Sequence, residues 1–287
     1  MKDQQQYFDA NKINWNQRVA AHKDSSFYDL DGFKKGKNVL TPIELKEIGD
    51  VNGKSLLHLQ CHFGMDTMSW SRLGAKCVGV DLSDEAIKLA REINDELKLD
   101  AKFVCCNVYD LLRENSSAAK TPSLEGLVRK DSFGGEVEQF DIVFTSYGTI
   151  GWLPDLDPWA KMIVERLKPG GFFYMAEFHP VVWMFDDDFT HIKYFYSNKE
   201  VIVMENQPTY TGDKNEITGK EYSWNHSISE VLNALINAGL KIEFFNEHRF
   251  SPYSNFRNSV ETEKGKWHIK GMEGKLPMVY SLKATKS

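Results

Sequence analysis

Three short stretches of this chain carry side chains able to hold a small polar ligand. Asp81 ends the apolar run Lys76 to Val80, and a carboxylate at the end of a buried strand can accept two hydrogen bonds from the vicinal hydroxyls of a ribose. The run Ser55 to Leu59 leads into a turn tightest at Gly64 and a helical pattern that closes at Gly74, whose open N-terminus presents unpaired N–H groups. Asn107 follows the run Ala101 to Cys106, and Ser146-Tyr147-Gly148 follows the run Phe140 to Thr145. Strand, helix, strand and terminal acid between Ser55 and Asp81 suggest an adenosine-containing cofactor, although a surface aspartate after a buried strand fits any parallel sheet.

Other candidate groups have plainer readings. His58, Cys61 and His62 carry ligand-capable atoms, but their stretch passes from strand to loop and lacks helical i, i+4 geometry, so no metal is expected. Asp186-Asp187-Asp188 reads as a solvated loop. The four cysteines, Cys61, Cys77, Cys105 and Cys106, lie on or beside buried strands and are expected as free thiols, with Cys105 and Cys106 on opposite faces.

The elements that position these residues alternate. After Asp81 a helix is expected with Ser83 as N-cap and Ala86, Ile87, Ala90, Ile93 and Leu97 on one face. Another is expected with Asp157 as N-cap and Pro158 first, stopping at Pro169-Gly170-Gly171 before a fifth strand, Phe172 to Phe178. Residues 110–139 read as an insertion or a flexible connection, with room only for a short helix around Leu124 to Val128. Ser227 with Glu230 opens a helix that Gly239 closes, and two strands around Phe244 and Tyr280 finish the chain as a probable hairpin. The order predicts a doubly wound α/β fold with a mostly parallel seven-stranded sheet. An antiparallel cap, with K-Y-F-Y-S and V-I-V-M-E as strands, is inserted after the fifth. We divide the chain into an N-terminal helical lid segment (1–54), a cofactor-binding core (55–178), the cap (179–226) and the rest of the core (227–287).

With 287 residues, 41% hydrophobic, 26% charged and a formal net charge of −6, the chain has no overall basic character with which to neutralise phosphates, so no nucleic-acid partner is expected. The N-terminal residues lack the apolar core of a signal peptide and no later stretch is long and apolar enough to span a bilayer, which predicts a cytoplasmic protein with no membrane partner. The aromatic residues before Ser55, among them Tyr7, Phe8, Trp15, Phe27 and Tyr28, suggest a segment folded back onto the domain, across the cleft or simply packed on it. Oligomeric state is left open.

Gly64, Asp81, Asn107 and Ser146 to Gly148, with L-K-P-G-G before the fifth strand and the terminal hairpin, make the chain resemble a class I S-adenosylmethionine-dependent methyltransferase. The likeness runs from about Ser55 to the end, leaving out 110–139 and the cap. It is strongest to the variant whose glycine loop reads L-Q-C-H-F-G-x-D-T, here Leu59 to Thr67. The resemblance implies a Rossmann-like methyltransferase fold with S-adenosylmethionine as cofactor. It places Gln60, Cys61, His62 and Gly64 beside the methionyl part, with Asp66 and Thr67 opening the helix. Asp81 would take the ribose hydroxyls, Leu82 would lie against adenine, and Asn107 with Val108 would read the adenine edge; Ser146, after the fourth strand, is also expected to bind the cofactor. The chain departs from the common pattern where His58 holds the usual acidic position and Gln60 and His62 replace two glycines.

A dinucleotide-dependent oxidoreductase would need a Gly-x-Gly-x-x-Gly turn, which is absent, and a non-catalytic adenosine-binding regulator would keep Asp81 and Asn107. Ser146-Tyr147-Gly148-Thr149 is not the Asn- or Asp-Pro-Pro-Tyr of enzymes acting on base nitrogens, so a small-molecule methyl acceptor is expected. His179, at the end of the fifth strand, is the candidate general base and Tyr147 the residue that orients the acceptor, against packing roles for both.

Overall fold

The computed structural model describes residues 4–112, 138–198, 200–211 and 217–287. The helix expected around Leu124 to Val128 lies outside the described residues. Helices α1 (Gln5–Lys23), α2 (Leu30–Lys34) and α3 (Pro42–Ile48) precede strand β1 (Ser55–Leu59). Then come α4 (Met65–Arg72), β2 (Lys76–Asp81), α5 (Asp84–Glu96), β3 (Lys102–Cys105), β4 (Phe140–Thr145), α6 (Leu156–Arg166) and β5 (Leu167–Phe178). The remainder is β6 (Ile202–Glu205), β7 (Lys220–Ser223), α7 (Ile228–Asn237), β8 (Leu240–His248), β9 (Ser259–Glu263), β10 (Lys266–Ile269) and β11 (Val279–Lys286).

The main sheet has seven strands in the order β3-β2-β1-β4-β5-β11-β8. β1 to β5 pair in parallel, and β11 runs antiparallel to both β5 and β8. Both faces are covered, which is why the central strands read as unbroken apolar runs. Leu57, Leu59, Val80 and Val143 pack toward α6 and α7, while Leu56, Cys77, Ile142 and Phe144 pack toward α4 and α5. Cys105 and Cys106 do fall to opposite faces, and all four thiols are free.

Several boundaries move for identifiable reasons. Asp155, not Asp157, caps α6 by accepting from Asp157 N, so Pro158 sits in the first turn, where its missing N–H has no helical partner to lose. β5 follows α6 without a gap and takes in Lys168 to Gly171. Ser227 caps α7, but the Glu230 side chain bonds His226 instead of closing the capping box. In the cap, β6 and β7 form an antiparallel pair, whereas Lys193 to Ser197 form no strand and only Phe185 and Ile192 bridge there. The hairpin β9–β10 stands between β8 and β11 and was not anticipated.

Candidate functional site

β1, β2, β4 and β5 end at a cleft of about 770 Å³, walled on the far side by α1, the β6–β7 pair and the loop of residues 249–258. Parallel strands leave their carboxyl ends open at the order reversal between β1 and β4, where such sheets bind ligands.

The loop from β1 to α4 keeps the backbone of a glycine loop without most of its glycines. Gln60 (φ 53°), His62 (φ 50°) and Gly64 (φ 76°) all adopt the left-handed conformation, which costs a non-glycine residue about 1 kcal/mol or more. Bonds on either side hold it there. Cys61 N donates to Val80 O at 2.9 Å, His62 N donates to Asp81 Oδ2 at 2.8 Å, and Gln60 Nε2 donates to Thr149 O at 2.9 Å. The two side chains that replace glycines thus become tethers, Gln60 to the loop after β4 and His62 to His22 on α1. At Gly64 the requirement is steric as well, since a Cβ would lie 2.3 Å from Phe103 Cε1.

Asp81 ends β2 with Oδ1 accepting from Ser83 N and Oδ2 from His62 N, both at 2.8 Å. Burial pushes its carboxyl up to about 6 despite these donors. Leu82, Cys106 and Val108 line the same end of the cleft with Asn107, whose Oδ1 accepts from Tyr109 N at 3.1 Å and caps the short turn Val108–Leu111. The Asn107 side-chain carbonyl is therefore already engaged once.

At the β4 side, His58 is buried with Nδ1 2.8 Å from Thr67 Oγ1 and Nε2 3.3 Å from Ser146 Oγ. Burial holds its pKa down to about 3, so it is neutral. Ser146 also bonds the carboxylate of Asp66, which burial raises to about 6. Ser146 and Asp66 line the cleft; Thr67 does not, and its hydroxyl serves His58 from behind. Tyr147 lines the cleft with its ring, while its hydroxyl lies 3.2 Å from both Glu44 Oε2 and Thr41 Oγ1.

His179 is not brought together with these residues. It is absent from the cleft wall, buried against Tyr280, with Nε2 3.0 Å from Glu247 Oε1 on β8 and Nδ1 accepting from Val181 N. Met278, the residue before β11, accepts the His179 N–H at 3.0 Å, so the backbone pairing continues one residue beyond β5. The triple aspartate also has a local explanation, because Asp186 accepts from Thr190 N, Thr190 Oγ1 and His191 N. Among the described residues no three His, Cys, Asp or Glu side chains converge as a metal site, and no helix is long and apolar enough to cross a membrane.

Residues not anticipated include Glu177, 2% exposed near the end of β5. Its carboxylate accepts from the backbone N–H groups of Gly148, Thr149, Ile150 and Phe178, and so fixes the loop after β4. A lone acid in the apolar run F-F-Y-M-A-E-F was the available signal. Arg18 on α1 is also buried, pairs with Glu221 on β7, and stands 5.2 Å and 5.5 Å from the rings of Trp15 and Trp152. Tyr28, Tyr210 and Tyr253 add further rings to the wall.

Comparison with known proteins bears on the fold. Residues 57–173 match the methyltransferase domain family. The chain superposes on an S-adenosylmethionine-dependent methyltransferase from Mesorhizobium loti with a TM-score of 0.55 at 17% identity, covering 88% of this chain and 100% of that one. The fold is that of the S-adenosylmethionine-dependent methyltransferases. A second such structure, from Methanosarcina mazei, gives a TM-score of 0.52 at 17% identity over 86% of this chain and 98% of its own. By sequence, the ubiquinone biosynthesis O-methyltransferases of Xanthomonas oryzae and a Shewanella species are 26% and 25% identical over 153 and 155 residues, 52% and 53% of this chain. The chain spans about half the length of these curated relatives, 55% and 56%.

Proposed function

We propose that this chain is an S-adenosylmethionine-dependent methyltransferase that acts on a small-molecule acceptor. The observation that carries the reading is Asp81, a carboxylate at the end of β2 whose two oxygens are aimed by backbone donors from the loops on either side of it. Each oxygen keeps a lone pair for one ribose hydroxyl. Leu82, Cys106 and Val108 offer apolar walls to a flat base, with the Asn107 amide at its edge. The donor set therefore fits the adenosine end of the cofactor. Calorimetric titration with S-adenosylhomocysteine tests it: one-site binding is expected, weakened in Asp81→Ala by about tenfold or more, the loss that follows removal of a charged hydrogen-bonding partner. An unchanged affinity in a folded Asp81→Ala protein would remove the assignment.

The remainder of the cleft suits a small acceptor with an apolar or planar body. Tyr147, Phe178, Trp183, Tyr253 and Phe256 form a connected set of rings with centroids 5.1–5.7 Å apart. The cleft volume lies within the usual range for small-molecule sites, roughly 300–1,000 Å³. The cofactor supplies an electrophilic methyl group on a sulfonium. The residues of this chain would hold the acceptor in line and keep water out, with α1 and the β6–β7 pair as the cover. Tyr147, its hydroxyl fixed by Glu44 and Thr41, would orient the acceptor ring. The relatives named as O-methyltransferases support a hydroxyl acceptor.

A further inference from the structure

Transfer to a hydroxyl needs a group that takes the hydroxyl proton, and His179 is not on the cleft wall to do it. A buried carboxylate of the cap is. Glu221 on β7 is 3% exposed and lines the cleft. Its Oε2 accepts from Arg18 Nη2 on α1, while Oε1 accepts no hydrogen bond from a described residue. Arg18 is also incompletely used, since its Nε is buried with no partner among the described residues. A buried ion pair with spare hydrogen-bonding capacity on both sides is an unfinished arrangement.

The pair stands where a ligand would complete it. Trp15 and Trp152 flank Arg18, their ring centroids 5.3 Å apart and nearly perpendicular. The Trp15 ring is 5.3 Å from that of His62 in the loop after β1, and Trp152 Nε1 donates to Gly148 O in the loop after β4. Glu221 and Arg18 thus sit over the order reversal between β1 and β4, the ligand-binding edge of such sheets. Little else there carries charge. Along α1, His22 is neutral and bonded to Thr209; β6 places Met204 opposite Glu221; the loop after β4 presents Trp152; and Lys220, the neighbour on β7, pairs with Glu205. Burial pushes the Glu221 carboxyl up and the Arg18 guanidinium draws it back down, a balance that suits a group which must be ionised and yet accept a proton.

We infer that Glu221 is the general base for a hydroxylated aromatic acceptor, with Arg18 holding the carboxylate and Trp15 and Trp152 flanking the hydroxyl-bearing end. The assignment rests on the methyltransferase reading and names the acceptor class. Two crossed indoles favour a planar aromatic group by edge and offset contacts. A phenolic hydroxyl ionises near pH ~10, as that of tyrosine does, so a carboxylate can assist its deprotonation during attack. The acceptor oxygen forms its bond to the methyl carbon as the carbon–sulfur bond breaks and leaves its electron pair on sulfur. The hydroxyl proton moves to Oε1 of Glu221, which later releases it to water in the cleft. A methyl ether and a neutral thioether result, and no further reactant is consumed.

The test incubates the whole protein with methyl-labelled S-adenosylmethionine and a metabolite extract across a range of pH. Label should appear on oxygen in an aromatic product, and the rate should fall as pH drops through the value at which Glu221 takes up its proton. Glu221→Gln keeps the side-chain shape and an oxygen for Arg18; it should slow transfer by about 10²–10³-fold, lose that acid limb, and bind S-adenosylhomocysteine within about twofold of wild type. Carbon-13 NMR of glutamate-labelled protein, with the Glu221 carboxyl assigned by its absence from Glu221→Gln, reads the titration directly. It should coincide with the acid limb, and both should move to higher pH in Arg18→Gln. A Glu221→Gln protein with the wild-type rate, or one that is slower but retains the acid limb, would overturn the inference and leave the pair as a structural clasp between α1 and the cap. Label on nitrogen, sulfur or carbon in place of oxygen would also overturn it. A wild-type protein that transfers no label at any pH would overturn the methyltransferase reading, and this inference with it.

Discussion

His22 Nδ1 on α1 lies 2.9 Å from His62 Nε2 in the loop after β1. Through this contact the N-terminal helix is fastened to the turn that borders the cleft, and the other nitrogen of His22 meets Thr209 of the cap. Asn11 extends the link by exchanging two hydrogen bonds of 2.8 Å with the backbone of Tyr222 on β7. Helix, glycine-type loop and cap therefore form one cover, and hydrogen exchange in α1 and in β6–β7 should slow together when S-adenosylhomocysteine binds. His22→Ala should remove that coupling. Protection confined to residues 55–107 in the wild type would rule out a lid.

The same pair makes stability depend on pH. Burial lowers the pKa of His22 to about 2 and of His62 to about 3, so both stay neutral when folded and protonate in the unfolded chain below the ordinary 6.5. Their contribution is complete above pH 6.5 and is lost as pH falls, at about 1.4 kcal/mol per pH unit for each ring once well below that value. Denaturant titrations at about pH 7 and pH 5 should show a smaller acid loss in His22→Gln than in the wild type.

Glu44 works in the opposite direction. Its carboxyl, fully buried in the capping box of α3 and beside Tyr147, is pushed up to about 7 from 4.5, chiefly by desolvation. The folded state holds the proton more tightly than the unfolded state, so stability is highest below pH 4.5 and declines as pH rises to 7. Glu44→Gln preserves the capping box and removes the buried charge. At about pH 8 it should be more stable than the wild type by an amount on the order of 3 kcal/mol, and nearly equal to it at about pH 4. A variant destabilised at both pH values would contradict this account.

Gly64→Ala should be strongly destabilising, because the new Cβ meets Phe103 and Ala90 at a residue with φ 76°. Overpacking and the left-handed backbone together cost about 2–4 kcal/mol. A melting temperature unchanged from wild type would show that Phe103 can move aside.

His179→Gln should leave S-adenosylhomocysteine affinity and turnover near wild type and cost about 1 kcal/mol of stability through the lost contact with Glu247. A large loss of turnover in a folded variant would return His179 to the site.

That residue also shows where sequence reasoning stops. The five parallel strands were legible because runs such as L-L-H-L and F-D-I-V-F-T are buried on both faces, and Asp81 and Asn107 were legible because strand ends locate the open edge of the sheet. Strand ends do not say which way a side chain turns. Glu177 lines the cleft, whereas His179, just past the end of β5, bonds Glu247 on β8. Gln60 and His62 read as departures from a glycine loop, whereas the loop conformation survives and their side chains act as long-range tethers, 89 and 40 residues apart from their partners. The hairpin β9–β10 was hidden because its strands are short and polar-rich, with Trp267 and Ile269 too brief an alternation to mark a strand.

Methyl transfer itself is the central claim. The most direct measurement incubates the purified protein with S-adenosylmethionine labelled in its methyl group and a metabolite extract, and follows both the label and S-adenosylhomocysteine. The account predicts label in a small-molecule product, formed in equal amount with S-adenosylhomocysteine and abolished or greatly slowed in Asp81→Ala. Tight cofactor binding with no label transferred to any small molecule would contradict it and leave an adenosine-binding protein without this chemistry.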